Sequence, residues 1–307
     1  MYKIKNYLSL IKFSHTVFAM PFALIGFIIA VANFYDLEPI YSNQEIDTKL
    51  KILVLSIVDN LQLLFVIILC MIFARSAAMA FNRYLDRKFD AKNPRTAIRE
   101  IPSGIITPNN ALIFTIVSCA LFLVTCFFIN RLCFYLSPVA LAVVLGYSYT
   151  KRFTPLCHLI LGLGLSLAPI GAFIAVTGFF SFLPIIFSLV VLFWVSGFDI
   201  IYALQDEQFD RENKLYSMPA WLGKSKALRV SELLHVFSAG GVIVAGWYGN
   251  FGWLYWTGAA IFIGMLIYQH SIVKADNLKR VNIAFMTANG IASVVFAVFV
   301  VADLFIN

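Results

Sequence analysis

Asn82-Arg-Tyr-Leu-Asp86-Arg-Lys-Phe-Asp90 is the most informative segment of this chain. It closes a long apolar segment and carries a polar side chain at every fourth residue, which on a helix places all three on one face. Like charges at this spacing repel each other, and carboxylates beside a membrane are costly unless a positive charge compensates them. The stretch therefore predicts the end of a membrane helix that needs a cation.

A second acidic stretch, Asp199-Ile-Ile-Tyr202-Ala-Leu-Gln-Asp206-Glu-Gln-Phe-Asp210, follows another apolar segment. Both stretches contain the pattern Asp-x-x-Phe-Asp, and each follows the second helix of a possible four-helix group. We therefore expect a diverged duplication with a ninth helix added. The polar residues of the second stretch are expected to share one helix face, with Asp199 deepest in the membrane.

The composition is that of a polytopic membrane protein. Of the 307 residues, 61% are hydrophobic and 13% are charged, and the mean hydropathy is +0.86. We expect an all-α fold, with nine transmembrane helices in one domain over residues 1–307. The predicted helices are 12–32, 53–81, 109–129, 132–149, 157–178, 182–202, 227–247, 251–270 and 283–305, and the motif loops are about 82–108 and 203–226.

The basic residues predict the orientation. With the N-terminus inside, nineteen lysines and arginines lie on inner segments, and only Lys49, Lys51 and Arg131 lie on outer ones. This asymmetry predicts a multi-pass protein of the bacterial inner membrane, with the N-terminus and both acidic stretches facing the cytoplasm. The net charge of +7 reflects this topology and attraction to anionic membrane lipid, so we expect no nucleic-acid partner.

If the two acidic faces oppose each other, they form a cluster of hard oxygen ligands suited to Mg²⁺. The predicted metal ligands are Asn82, Asp86, Asp90, Asp206 and Asp210. Magnesium usually completes its coordination shell with water and phosphate oxygens, so a diphosphate is the expected guest. The cations expected to neutralise it are Arg95, Arg99, Lys151 and Arg152.

Arg75 lies two helical turns before Asn82, on the same face but deeper in the membrane. Two interpretations stay open: an internal salt bridge, for instance to Asp199, or a bidentate clamp on a substrate carboxylate. Asp199 itself could orient a substrate hydroxyl, accept a proton or balance Arg75. His235 and His270 are interpreted as structural, and His15 is left unassigned.

Together these motifs resemble the UbiA superfamily of intramembrane aromatic prenyltransferases. The resemblance covers nearly the whole chain and includes Gly146-Tyr147-Ser-Tyr-Thr-Lys151-Arg152. It implies a helix bundle that opens laterally to the membrane and binds a polyprenyl diphosphate through two Mg²⁺ ions. Ionisation would give an allylic cation that an aromatic ring attacks. The implied catalytic residues are Asp199, Arg75 and Lys151, and the implied diphosphate-binding residues are Arg95, Arg99, Lys151, Arg152 and Tyr147.

Within the superfamily, Asn93-Pro94-Arg95-Thr-Ala resembles the 4-hydroxybenzoate polyprenyltransferase-like branch. That branch resembles the menaquinone enzyme that prenylates 1,4-dihydroxy-6-naphthoate, and both acceptors are aromatic acids. Ubiquinone-type enzymes often read Gly-Ile-Lys-Ser where this chain reads Lys214-Leu-Tyr216-Ser. The loss of that lysine favours the naphthoate acceptor.

The main alternative is an ion-coupled secondary transporter with intramembrane carboxylates. Carriers usually place their charges near the membrane midplane on broken helices, whereas most acidic residues here stand at the inner helix ends. The sequence therefore favours the enzyme.

Overall fold

The computed structural model describes residues 2–11, 18–34 and 46–306, which form helices and contain no β-strand. His15, part of the predicted first helix and most of the predicted outer loop lie outside the described residues. The helices are α1 (Tyr2–Leu10), α2 (Met20–Phe34), α3 (Ile46–Asp59), α4 (Leu61–Lys92), α5 (Pro108–Ile129), α6 (Arg131–Thr150), α7 (Cys157–Thr177), α8 (Phe182–Ala203), α9 (Glu207–Glu212), α10 (Met218–Leu222), α11 (Lys224–Tyr248), α12 (Trp253–Ile272) and α13 (Asn289–Ile306).

Seven helical segments of the described chain are long and apolar enough to cross a membrane. They are Leu61–Lys92, Pro108–Ile129, Arg131–Thr150, Cys157–Thr177, Phe182–Glu212, Lys224–Tyr248 and Ile283–Ile306. The described α2 is apolar but has only 15 residues. The all-helical membrane fold is therefore confirmed, whereas the count of nine spans and the two four-helix repeats stay predictions.

The boundary of the second predicted helix differs from the structure. The helix is interrupted at Asn60: α3 ends at Asp59, and α4 runs without interruption from Leu61 to Lys92. The first acidic stretch thus belongs to the last turns of α4 itself, where helical geometry fixes its side chains.

A buried polar network holds α8 in the middle of the bundle. Trp194 is fully buried, and its Nε1 donates to Asn289 Oδ1 at 2.9 Å. Gln269 Nε2 donates to the same oxygen at 2.8 Å. The Asn289 amide nitrogen in turn donates to the carbonyls of Ala284 and Phe285, in the π-helical turn Ile283–Ala288 before α13. These contacts tie α8, which carries Asp199, to α12 and α13.

The buried His235 of α11 pairs with His270 of α12, which is partly exposed. His235 Nδ1 lies 2.9 Å from His270 Nε2, and His235 Nε2 lies 3.2 Å from the carbonyl oxygen of Trp194. This arrangement supports their structural interpretation.

Gly26 allows α2 to approach α7 closely. A Cβ at this position would lie 2.1 Å from the carbonyl oxygen of Pro169, so one helix would have to move. We expect Gly26→Ala to lower the free energy of unfolding by about 1–3 kcal/mol, as overpacking does. Gly240→Ala in α11 is the matched control, because its Cβ would meet no atom within 4 Å. Thermal unfolding in detergent tests the pair, and equal melting temperatures would contradict the assigned packing.

Candidate active site

The C-terminal ends of α4 and α8 enclose a polar cavity of about 200 Å³. Side chains from both acidic stretches line it, so the predicted opposition of the two stretches is confirmed. The acidic and amide groups around it are Asn82, Asp86, Asp90, Asn93, Asp199, Asp206 and Asp210. The side chains of one motif thus face those of the other across a single space.

Two cationic side chains that line the cavity form ion pairs with acids of the second acidic stretch. Arg95, in the loop after α4, donates from Nε to Asp206 Oδ1 at 3.0 Å and also contacts Asp206 through Nη2. Lys151, directly after α6, places Nζ 2.7 Å from Asp210 Oδ1. Because these contacts join separate segments, they fix the width of the cavity.

The acids of α4 are also paired. Asp86 accepts from Arg152 Nη2 at 2.8 Å and from Asn82 Nδ2 at 3.1 Å. Asp90 Oδ1 accepts from Arg99 Nη1 at 2.7 Å, while Asp90 Oδ2 is buried and accepts no hydrogen bond from the residues that the structure describes. A buried carboxylate oxygen without a partner costs free energy, so it is an available ligand atom.

The second acidic stretch is not one continuous helix. A 3₁₀ turn, Leu204–Asp206, separates α8 from the short α9, which carries Asp210. The expectation of one unbroken helical face is therefore wrong in detail, because the 3₁₀ turn winds more tightly than an α-helix. Asp199, Asp206 and Asp210 nevertheless line the same cavity.

Lys151 and Arg95 lie outside the membrane-spanning helices and remain cationic. Burial lowers the pKa of Lys151, but the charge of Asp210 and its hydrogen bond raise it more, so the net pKa lies above its usual value. Burial likewise lowers the pKa of Arg95, but the contact with Asp206 raises it by more, so the net pKa lies above its usual value. Both side chains can therefore meet an anionic ligand as full positive charges.

A second, largely apolar cavity of about 380 Å³ adjoins the polar one, and Tyr147 and Leu161 line both. It extends between α4, α5, α6 and α7, and its side chains include Arg75. Arg75 Nε is buried and has no hydrogen-bond partner. The structure forms no salt bridge between Arg75 and Asp199, which was one of the two interpretations; the partner of Asp199 is His158.

Arg152 occupies a different place from the one predicted. It is not among the residues that line the polar cavity, although Lys151 beside it is. Its guanidinium donates to the carbonyls of Ser148 at 2.7 Å and Leu85 at 3.2 Å as well as to Asp86. Arg152 thus contacts Asp86 from outside the cavity and fixes the orientation of its carboxylate.

Three groups at the site escaped sequence reasoning. Asn93 Nδ2 donates to Asp206 Oδ1 at 3.2 Å, Ser217 Oγ donates to Asp210 Oδ2 at 2.8 Å, and His158 contacts Asp199. Asn93 follows the first stretch by three residues, so its position was a usable signal. Ser217 and His158 come from distant segments and carry no spacing that points to the site.

The residues around the polar cavity fit magnesium, although they form no ready-made cage. Among the residues that the structure describes, no three His, Cys, Asp or Glu side chains are grouped closely enough to hold a metal alone. Mg²⁺ keeps several waters and is commonly bound through one or two carboxylates plus substrate phosphates, so a complete protein cage is not required. The hard oxygen donors, including the free Asp90 Oδ2, match that preference.

Comparisons with known proteins agree with this geometry. The model of the UbiA prenyltransferase family matches residues 52–291. The 4-hydroxybenzoate octaprenyltransferase of Nitrosospira multiformis is 30% identical over 243 residues, which cover 78% of this chain and 82% of that protein. The 4-hydroxybenzoate octaprenyltransferase of Nitrosomonas europaea is 30% identical over 245 residues, covering 79% and 83%.

Solved structures show the same fold. The apo structure of a UbiA homolog from Aeropyrum pernix K1 has a TM-score of 0.72 at 26% identity, covering 94% of this chain and 96% of that one. A UbiA homolog from Archaeoglobus fulgidus bound to GPP and Mg²⁺ has a TM-score of 0.70 at 18% identity, covering 97% and 99%. At that lower identity the likeness concerns the fold alone.

Proposed function

Because this chain belongs to the UbiA prenyltransferase family, we propose that it transfers a polyprenyl group from polyprenyl diphosphate to 4-hydroxybenzoate and releases diphosphate. The observation that carries this proposal is the pair of adjoining cavities that meet at Tyr147. The polar cavity suits a metal-bound diphosphate, and the apolar cavity suits a hydrocarbon chain. A donor that spans both would place its reactive carbon at their junction.

The donor's diphosphate is assigned to the polar cavity. Asp86, Asp90, Asp206 and Asp210, with Asn82, would hold Mg²⁺, which neutralises charge on the leaving group when bound. Arg95, Arg99 and Lys151 line the same cavity and would contact the remaining phosphate oxygens. When Mg²⁺ and the diphosphate bind, the carboxylates that pair with these cations would become metal ligands. The cations would then pair with phosphate oxygens.

The acceptor is assigned to the junction of the cavities. Arg75, whose Nε has no partner, would bind the ring carboxylate, and Asp199 would take the proton that the ring loses. The apolar walls of the second cavity exclude water that would otherwise capture the allylic cation. Lys151 keeps the departing diphosphate in place.

The choice of 4-hydroxybenzoate rests on two observations. The relatives described above are named for that acceptor, so they do not support the preference for naphthoate. Tyr216 stands in place of the lysine of ubiquinone-type enzymes, but its side chain is 47% exposed and does not line the polar cavity. Tyr216 meets the site through its backbone: its amide donates to the Lys151 carbonyl at 2.7 Å, and its carbonyl accepts from Cys157 Sγ at 3.5 Å.

We place the chain in the bacterial inner membrane as one domain, with its N-terminus and polar cavity on the cytoplasmic side. The asymmetry of lysine and arginine between the segments supports this orientation. The transporter alternative is not favoured, because the acids are paired with cations in a cavity at the helix ends.

In the test, the protein is purified into nanodiscs and incubated with geranyl or octaprenyl diphosphate as donor and with 4-hydroxybenzoate or 1,4-dihydroxy-6-naphthoate as acceptor. The products are identified by mass spectrometry. We expect prenylated 4-hydroxybenzoate in the presence of Mg²⁺, loss of product with EDTA and recovery when Mg²⁺ is restored. Product from the naphthoate alone would overturn the acceptor assignment. No prenylated product from either acceptor would overturn the function.

A further inference from the structure

His158 stands at the start of α7 and contacts Asp199 from α8. Its Nδ1 lies 2.6 Å from Asp199 Oδ2, and both residues line the polar cavity. The imidazole is 3% exposed, so its environment is set by the protein. The contact joins residues 41 positions apart in the chain.

The backbone determines which imidazole nitrogen carries the proton. The amide N–H of Met218 points at His158 Nε2 from 3.3 Å. An amide N–H can only donate, so Nε2 is the acceptor and Nδ1 carries the hydrogen that is donated to Asp199. A doubly protonated imidazole would place two donors against each other at Nε2. The arrangement therefore selects the tautomer whose Nδ1 hydrogen is directed at Asp199.

The imidazole is itself fixed on several sides. Ser196 Oγ, one turn before Asp199, donates to the His158 carbonyl at 3.1 Å. Met218 follows Ser217, whose hydroxyl donates to Asp210. These contacts thus connect Asp199, through His158 and the Ser217–Met218 backbone, to Asp210 at the other end of the second acidic stretch. Among the described hydrogen bonds, none reaches Asp199 Oδ1, so one carboxylate oxygen is tied and the other is available.

We propose that His158 is a positioning residue that holds Asp199 with Oδ1 directed at the acceptor ring. The inference rests on the proposed function and deepens it. In the step, the donor C–O bond breaks with its electron pair going to diphosphate, and a ring π pair forms the new C–C bond. The proton on that ring carbon passes to Asp199 Oδ1, and the C–H electron pair restores aromaticity. Asp199 then releases the proton to water in the polar cavity.

The experiment separates this role from simple packing. His158→Leu removes the donor, whereas His158→Asn keeps an amide N–H near the position of Nδ1. His235→Leu is the matched control, because it replaces another buried histidine that lines neither cavity. Steady-state kinetics use geranyl diphosphate, 4-hydroxybenzoate and Mg²⁺ with full-length protein, and thermal unfolding is measured for every variant.

We expect His158→Leu to lower kcat about tenfold, part of the 10²- to 10⁴-fold effect that positioned proton transfer contributes. The KM for geranyl diphosphate should stay within about twofold, since the lost contact acts only on the chemical step. His158→Asn should recover most of kcat, and His235→Leu should keep the wild-type value. Combined with Asp199→Asn, His158→Leu should add no further loss, because the two residues act as a unit.

Three results would overturn the inference. These are wild-type kcat in folded His158→Leu, equal losses in His158→Leu and His158→Asn, or fully additive losses with Asp199→Asn. Each leaves wild-type prenyl transfer intact and so leaves the proposed function standing. Failure of the wild-type protein to form product would refute the function instead.

Discussion

Asp206→Ala, and separately Asp86→Ala, will reduce kcat at least about 1000-fold, because each removes one side of the predicted magnesium site and metal contributes several kcal/mol to such reactions. Asp206 and Asp86 face each other across the polar cavity, so neither can replace the other. The measurement is single-turnover formation of prenylated 4-hydroxybenzoate at saturating Mg²⁺.

Both variants should remain folded and in the membrane. Arg95, which loses its partner in Asp206→Ala, has a side chain that is 32% exposed and can be solvated. Glu212→Gln is the matched control, since this acid lies six residues after Asp206, at the end of α9, but is exposed and lines neither cavity. Near-normal turnover in either alanine variant, with a wild-type melting temperature, would refute the metal assignment.

Arg75→Leu will lower kcat/KM for 4-hydroxybenzoate at least about 100-fold, because it removes a buried charged partner of the ring carboxylate. Binding of geranyl diphosphate, measured by calorimetry with Mg²⁺, should change by no more than about twofold, since Arg75 lines only the apolar cavity. The melting temperature should not fall, because Arg75 Nε makes no hydrogen bond that the substitution could break.

Phenol as acceptor gives the control for this prediction. Phenol lacks the carboxylate, so wild-type protein and Arg75→Leu should prenylate it at the same slow rate. Equal losses with 4-hydroxybenzoate and phenol, or weaker donor binding in the variant, would show that Arg75 serves the structure.

The acids of the site could be predicted from sequence because helical periodicity alone places them. Asn82, Asp86 and Asp90 repeat every four residues, and α4 holds them on one face as expected. The similar motif in the second half of the chain predicted that Asp206 would face them. The hydrogen bond from Arg95 to Asp206 joins the two acidic stretches in the structure.

The missed features depend on tertiary contacts and not on spacing. His158 reaches Asp199 only because α7 packs against α8, and the exposed position of Tyr216 depends on how the loop after α9 turns. The break at Asn60 also escaped prediction, since the apolar run continues on both sides of it. The predicted span 251–270 corresponds to α12, which is not among the seven described segments that are long and apolar enough to cross a membrane.

The pairing of acids with cations around the polar cavity has a consequence for electroneutrality. Asp86, Asp90, Asp199, Asp206 and Asp210 face the four cations Arg95, Arg99, Lys151 and Arg152, which leaves a single negative charge. Two magnesium ions, the number that the family resemblance implies, would together with a fully ionised diphosphate ester cancel that charge. Uncompensated charge is expensive at low dielectric, so metal and donor should load as one neutral unit. Pyrophosphate would then depart together with its magnesium.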